Sequence, residues 1–242
     1  MAARRRTSLG TLLAAAGLAA ALITPLGTAT ASAATDCPDI EVVFARGTDE
    51  EPGIGKVGQS LVDTLKPMLK GKTIGTYGVK YPANWDFMKA AVGANDMSKR
   101  IQATAARCPD TKIVMGGYSQ GAAVVDVVAT SPVAGLGFTK PLPADVASHV
   151  AAVVVFGNPS ARLGQPLTLM SPVFGARTAD LCAPADPICS AGRNWDSHVQ
   201  YQQYGLVKLA AQWVTKLVTA PTPAAQESED EPETTRASRA TP

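Results

Sequence analysis

The chain predicts an α/β fold, with a central, mostly parallel sheet flanked by helices. Three observations lead there. Ile40–Ala45, Lys112–Gly117 and Ala151–Phe156 are short, nearly continuous apolar runs of the kind buried on both faces of a sheet. Between them lie longer stretches with apolar residues at helical spacing. The composition, 46% hydrophobic and 17% charged, is that of a domain with an ordinary core. Strands that alternate with helices pack as a parallel sheet between helical layers.

The same numbers exclude other classes. Lys and Arg total 22 against 20 Asp and Glu, a net charge of +2, which lacks the basic footprint of a nucleic-acid binder. Thirteen aromatic residues in 242 are few for a module that stacks bases or sugars on exposed rings. No internal repeat is visible.

Taken in order, residues 1–33 read as a secretory signal peptide. Arg4, Arg5 and Arg6 precede an apolar run from Leu9 to Leu26, Pro25 and Gly27 end any helix, and Ala31-Ser32-Ala33 offers a small-residue cleavage site. An uncleaved anchor is the alternative, but no stop-transfer charges follow. The arginines resemble a twin-arginine signal only weakly, so the export route stays open. Without the leader's three arginines the mature chain carries 19 basic and 20 acidic residues, a net charge of −1. Residues 34–219 form one domain, long enough to bury roughly 70% of its unfolded surface. Residues 220–242 carry Pro221, Pro223, Pro232 and a run of acids from Glu227 to Glu233, a composition expected to be disordered.

Within the domain, strand Ile40–Ala45 is broken by Arg46-Gly47-Thr48. Val57, Leu61, Leu65 and Leu69 mark one face of a helix. A strand follows in Thr73–Tyr81, closed by Pro82, then a helix from Phe87 to Arg107. The strand Lys112–Gly117 leads into an Ala/Val-rich helix, Gln120–Ala129. Ala151–Phe156 is the next strand. After a loop region, a last helix sets Leu206, Leu209, Trp213 and Leu217 on one side. Cys37, Cys108, Cys182 and Cys189 are an even set in an exported domain and read as two disulfides. Three pairings are possible, Cys182 with Cys189 being the simplest local bridge. Neither a CxxC nor a paired-His spacing is present, so no metal or other cofactor is expected.

Gly117-Tyr118-Ser119-Gln120-Gly121 matches G-x-S-x-G. The pattern alone is weak, but it lies where a buried strand passes into a helix, the place of a nucleophile elbow. Such a turn lifts a serine hydroxyl clear of the sheet, and the small residues around it avoid collision with neighbouring backbone. The N–H of Gln120, opening the helix, faces the space where an oxyanion develops. A serine needs a base, and the chain has two histidines. His149 stands at a strand entrance and reads as a surface residue. His198 follows several acids, in the order Ser, acid, His, and is the better base. Among Asp180, Asp186 and Asp196, Asp196 fits a cap of the last helix. Asp186 lies in the Cys182–Cys189 loop, stiffened by Pro184 and Pro187, where a carboxylate can be fixed well enough to orient one His tautomer. A plain structural staple is the alternative. Arg46-Gly47-Thr48 occupies the place of a second oxyanion donor, and fits equally a strand-ending turn.

Phe44-Ala45-Arg46-Gly47-Thr48, Gly117–Gly121, Cys182-x3-Asp186-x2-Cys189 and His198 together resemble the cutinases, in particular the secreted cutinase-like proteins of mycobacteria and related actinobacteria. The resemblance spans Cys37 to the last helix. It implies a small α/β-hydrolase without a large lid, a Ser119–Asp186–His198 triad, and Thr48 and Gln120 as oxyanion donors. It also implies disulfides Cys37–Cys108 and Cys182–Cys189. Thr48 stands where fungal members carry Ser, which keeps the hydroxyl; the acidic tail lies outside the family core. The expected activity is hydrolysis of short- to medium-chain acyl esters, of cutin or lipid type, by a secreted monomer that associates transiently with lipid or cell-envelope surfaces and binds no nucleic acid. Phospholipase or acetylxylan-type esterase activity is the alternative, and a secreted binding protein with an idle constellation is the non-enzymatic one.

Overall fold

In a computed structural model of the chain, residues 37–220 are described; the signal peptide assigned to 1–33 and the tail from 221 onward lie outside them. Strand β1 (Ile40–Ala45) is buried along its whole length. Helix α1 (Gly55–Met68) buries Leu61 and Leu65, as their spacing predicts. Strand β2 (Ile74–Gly78) comes next, then a 3-10 turn at Phe87–Lys89 and α2 (Ala90–Arg107), so the helix expected from Phe87 begins with one tighter turn. Strand β3 (Lys112–Tyr118) enters α3 (Gln120–Thr130). Helix α4 (Ala144–Ser148) precedes β4 (Val150–Phe156). The region read only as a loop contains α5 (Pro159–Arg162), α6 (Leu167–Met170), strand β5 (Thr178–Leu181) and α7 (Trp195–Val199); α8 (Leu206–Thr219) closes the fold.

The five strands are all parallel, in the order β2-β1-β3-β4-β5. Alternation along β1 divides the core. Val43 and Ala45 join Met115, Val153 and Val155 under α2 and α3, while Val42 and Phe44 join Val114, Val154 and Phe156 under α1 and α8. The central strands β1, β3 and β4 are thus covered on both faces, which explains their unbroken apolar runs, whereas the edge strands β2 and β5 are only partly buried. The chain steps outward from β1 to β2, then returns past β1 to β3. The direction of winding therefore switches between β1 and β3, and the crevice at their carboxyl ends is where α/β sheets place binding sites. Thr48 and Ser119 both lie there.

One expected face is corrected. In α8 the buried residues are Val207, Ala210, Ala211, Val214 and Val218, while Leu209 is 51% exposed. The small Val/Ala stripe lets the helix approach the sheet closely, and the bulkier Leu206, Trp213 and Leu217 sit half-buried at its flank. Two disulfides brace the domain: Cys37–Cys108 ties the entry to β1 to the end of α2, and Cys182–Cys189 closes the loop after β5. Among the described residues no helix is long and apolar enough to cross a membrane.

Candidate active site

The turn at Ser119 is built by close approach of backbone. Ser119 adopts φ 55° and ψ −117°, a conformation disfavoured for an L side chain. A Cβ on Gly117 would lie 2.1 Å from the carbonyl oxygen of Gly121, and one on Gly121 would lie 1.9 Å from that of Ala45. Only glycine fits either place, so β3, α3 and the end of β1 lock the serine in its strained state. Its own N–H donates to Phe156 O at 2.8 Å, fixing the elbow to β4.

Across the crevice, the structure brings His198 and Asp186 to this serine. His198 Nε2 lies 3.0 Å from Ser119 Oγ, and His198 Nδ1 lies 2.8 Å from Asp186 Oδ2. His198 stands on the short helix α7 rather than in a loop. The cap of that helix is Asn194, whose side chain accepts the N–H of Asp196; Asp196 itself lies in the first turn of α7, and the last helix, α8, expected from the sequence to be capped by it, starts instead at Gly205. The His198 ring stacks on Tyr118, centroids 5.0 Å apart, and its carbonyl accepts the Tyr118 hydroxyl at 2.7 Å. The variable residue of G-x-S-x-G thus clamps His198.

Asp186 is fully buried. Burial alone raises a carboxyl's pKa, but His198, the Tyr201 hydroxyl and the Ile188 N–H all bond to it and outweigh that penalty, leaving it below the usual Asp value. It is an anion held for its neighbours. Its loop is tied by the disulfide, by the Asn194 N–H on Ala185 O at 2.9 Å, and by the Arg162 guanidinium on the carbonyls of Pro187 and Ser190.

Thr48 is half-buried beside Gln120. Its hydroxyl donates to Gln120 Oε1 at 3.3 Å, while the Gln120 amide donates to Asn84 O at 2.9 Å. The loop after β1 is pinned by two residues that motif reasoning passed over. Glu50 accepts the N–H groups of Gly47 and Lys56, and buried Arg46 donates to the carbonyls of Glu50 and Tyr81. A groove of about 960 Å³ lies on the far side of this loop, lined by Glu50, Lys56, Gln59 and Gln202 among others, and Ser119 is not in its lining. Ser119 is half-buried. Trp85, bonded to Asp49, and Phe87 stand exposed on the segment after Asn84, and Trp195 meets the His198 ring edge-on from the other side.

His149 caps the end of α4 and gives its carbonyl to Ile113 N, and it makes no hydrogen bond to Ser119, Asp186 or His198. Asp180 lies on β5 and shares Asn158 with Asp126; it has no contact with His198. Among the described residues no cluster of three metal-ligating side chains occurs.

Comparison with known proteins agrees with this architecture. The family described as Cutinase matches residues 36–218. Phospholipase Culp4 of Mycobacterium tuberculosis is 51% identical over 217 residues, covering 90% of this chain and 93% of that protein. Carboxylesterase Culp1 of the same organism is 45% identical over 188 residues, covering 75% and 82%. A solved Trichoderma reesei cutinase in complex with a phosphonate inhibitor aligns with a TM-score of 0.63 and 34% identity, over 76% of this chain and 78% of that one. The family match runs over almost every described residue and decides between the catalytic and the non-enzymatic reading: the chain belongs to the cutinase family and is a carboxylic ester hydrolase.

Proposed function

We propose that the protein is an exported serine esterase acting through Ser119, His198 and Asp186. The observation that carries the reading is the unbroken relay from Ser119 Oγ through both ring nitrogens of His198 to Asp186. Ser119 attacks the acyl carbonyl and His198 takes its proton. The oxyanion is held by the main-chain N–H of Gln120, at the amino end of α3, and by that of Thr48, whose hydroxyl is committed to Gln120. His198 then protonates the leaving alcohol, Asp186 steadies the imidazolium, and water attacks the acyl-enzyme by the reverse path. The whole constellation belongs to a single chain, which fits a monomer. Two disulfides fit an oxidising compartment and hence removal of residues 1–33 on export.

The substrate is a carboxylic ester of a short to medium acyl chain. The exposed Trp85 and Phe87, and the exposed Trp195 that meets the His198 ring edge-on, suit an apolar chain presented at a lipid or envelope surface. A second reading, phospholipid hydrolysis, is favoured by the resemblance to a relative named as a phospholipase.

Replacing Ser119 with Ala lowers turnover of p-nitrophenyl butyrate by about 10⁶-fold, since the members act as a unit. Diisopropyl fluorophosphate labels the parent at Ser119 and leaves the variant unlabelled. Turnover kept by the Ala variant would remove the assignment. A panel of p-nitrophenyl esters, glycerol esters, phospholipid vesicles and acetylated xylan then ranks the substrate classes.

A further inference from the structure

We propose that Tyr201 is a positioning residue of the hydrolytic reaction: its hydroxyl shares the negative charge of Asp186 with His198, and so sets the pH range in which His198 acts as a base. The inference rests on the Ser119–His198–Asp186 reading above.

Tyr201 follows His198 by three residues and is 1% exposed. Its hydroxyl donates to Asp186 Oδ2 at 2.6 Å, the same oxygen that lies 2.8 Å from His198 Nδ1. The other oxygen, Oδ1, accepts the Ile188 N–H at 2.8 Å. The direction of the tyrosine proton is fixed by a neighbour, because the Ala183 N–H donates to the Tyr201 oxygen at 3.3 Å and leaves its O–H for the carboxylate. Burial, and then the bond to Asp186, hold the phenol far above its usual pKa, so it remains a donor wherever the enzyme works. A buried tyrosine needs some acceptor, and any carbonyl would serve. Here the acceptor is the oxygen that orients the base.

The ring is held independently of the hydroxyl. Phe156 and Tyr118 meet it edge-on at 5.6 and 5.8 Å between centroids. Gly157 roofs the cluster: a Cβ there would come within 3.0 Å of both the Tyr201 oxygen and His198 Cε1, and 3.3 Å of Asp186 Oδ2. Removing the hydroxyl alone therefore leaves the packing intact and withdraws one donor from a buried anion. More charge then remains on Oδ2 facing the imidazole. That stabilises the imidazolium, and a higher pH is needed to free the base. The carboxylate also loses one of its three fixings, which lowers turnover.

The test is the pH profile of kcat/KM for the parent, Tyr201→Phe, and a variant carrying 3-fluorotyrosine at position 201, each normalised to active sites titrated with a fluorophosphonate. The Phe variant is expected to lose about tenfold in kcat with KM within about twofold, and to move the acid limb to higher pH by about half a unit. The fluorinated side chain keeps the fold and donates more strongly, so it moves the limb to lower pH. Opposite displacements support the proposal, and the fluorinated variant decides alone if the Phe variant does not fold. An acid limb common to all the folded variants would overturn it, whatever the change in thermal stability. Failure of the triad reading shows separately, as turnover retained by Ser119→Ala.

Discussion

The turn that carries Ser119 and the loop that carries Asp186 face each other across one crevice, yet they are held by different balances of backbone and side chain. At the turn, backbone meets backbone. Gly117 and Gly121 admit no Cβ, and the strain at Ser119 is enforced by two strands and a helix that have nowhere to move. At the loop, backbone contacts (the Asn194 N–H on Ala185 O, and Gly192, which admits no Cβ against Ala185) are joined by side chains and a cross-link: the Cys182–Cys189 bridge, Tyr201, and Arg162 reaching in from α5. The loop has its own non-glycine residue at positive φ, Ala185, but its conformation is kept by links that single substitutions can cut. A serine sited by the sheet and a carboxylate sited in large part by side chains and a cross-link differ in how they fail. The first fails with the fold, the second with the fold intact.

The largest effect breaks the turn. Gly121→Val drives a side chain into the Ala45 carbonyl and is expected to cost more than about 4 kcal/mol, seen as loss of cooperative melting and of ester hydrolysis together. A folded, active variant would end the steric account of the elbow.

The two disulfides sharpen the contrast. Chain entropy assigns about 4.4 kcal/mol to Cys37–Cys108 and about 2.5 kcal/mol to Cys182–Cys189, because the first closes the longer loop. Replacing Cys37 and Cys108 by Ser should therefore lower Tm more, while replacing Cys182 and Cys189 should lower kcat more, since only the second pair anchors Asp186. Melting curves and kcat falling in the same rank order would contradict it.

Beneath the loop, the buried carboxyl of Asp126 adds a pH dependence. Burial raises its pKa to about 6; bonds from Ser160 and Asn158 oppose the rise and the charge of Asp180 adds to it. Its folded value lies above the unfolded 3.8, so the stability it contributes is complete below about pH 4 and is lost as pH rises through 6, a change of about 3 kcal/mol. Asp126→Asn should flatten that decline, gaining on the parent between pH 4 and 7 in chemical denaturation. Parallel stability curves would show that Asp126 keeps its proton in neither state or both. The smallest effect is at His149→Ala, where turnover stays within about twofold and stability within about 0.5 kcal/mol; a loss like that of a His198 variant would transfer the base to the other histidine.

Much of the sheet was legible because strands buried on both faces are written as local apolar runs, and the elbow because its glycines form a short local pattern, although the need for Gly121 is set by Ala45, distant in the chain. Strand β5 escaped since Thr178–Leu181 is four residues long and carries Asp180 in place of an apolar pattern. The face of α8 was misjudged because two apolar stripes run side by side. Distance to the sheet chose the one made of Val and Ala, and no spacing rule ranks size against hydrophobicity. Tyr118 and Tyr201 gave one faint signal, their closeness in sequence to Ser119 and His198, but an aromatic residue next to a reactive one is ordinary core until its hydroxyl is located.

What the chain determined alone is the set of local conformations: which segments are strands, where the strand must bend without side chains, and which serine stands at the bend. Those are signalled by patterns among residues a few positions apart, even where a distant strand, as Ala45 at Gly121, supplies the steric need. Tertiary structure decided which acid meets which histidine, 12 residues apart in sequence, and which hydroxyl completes the buried carboxylate. Hydrogen bonds of that kind depend on positions in space that are fixed only once every strand has found its neighbour.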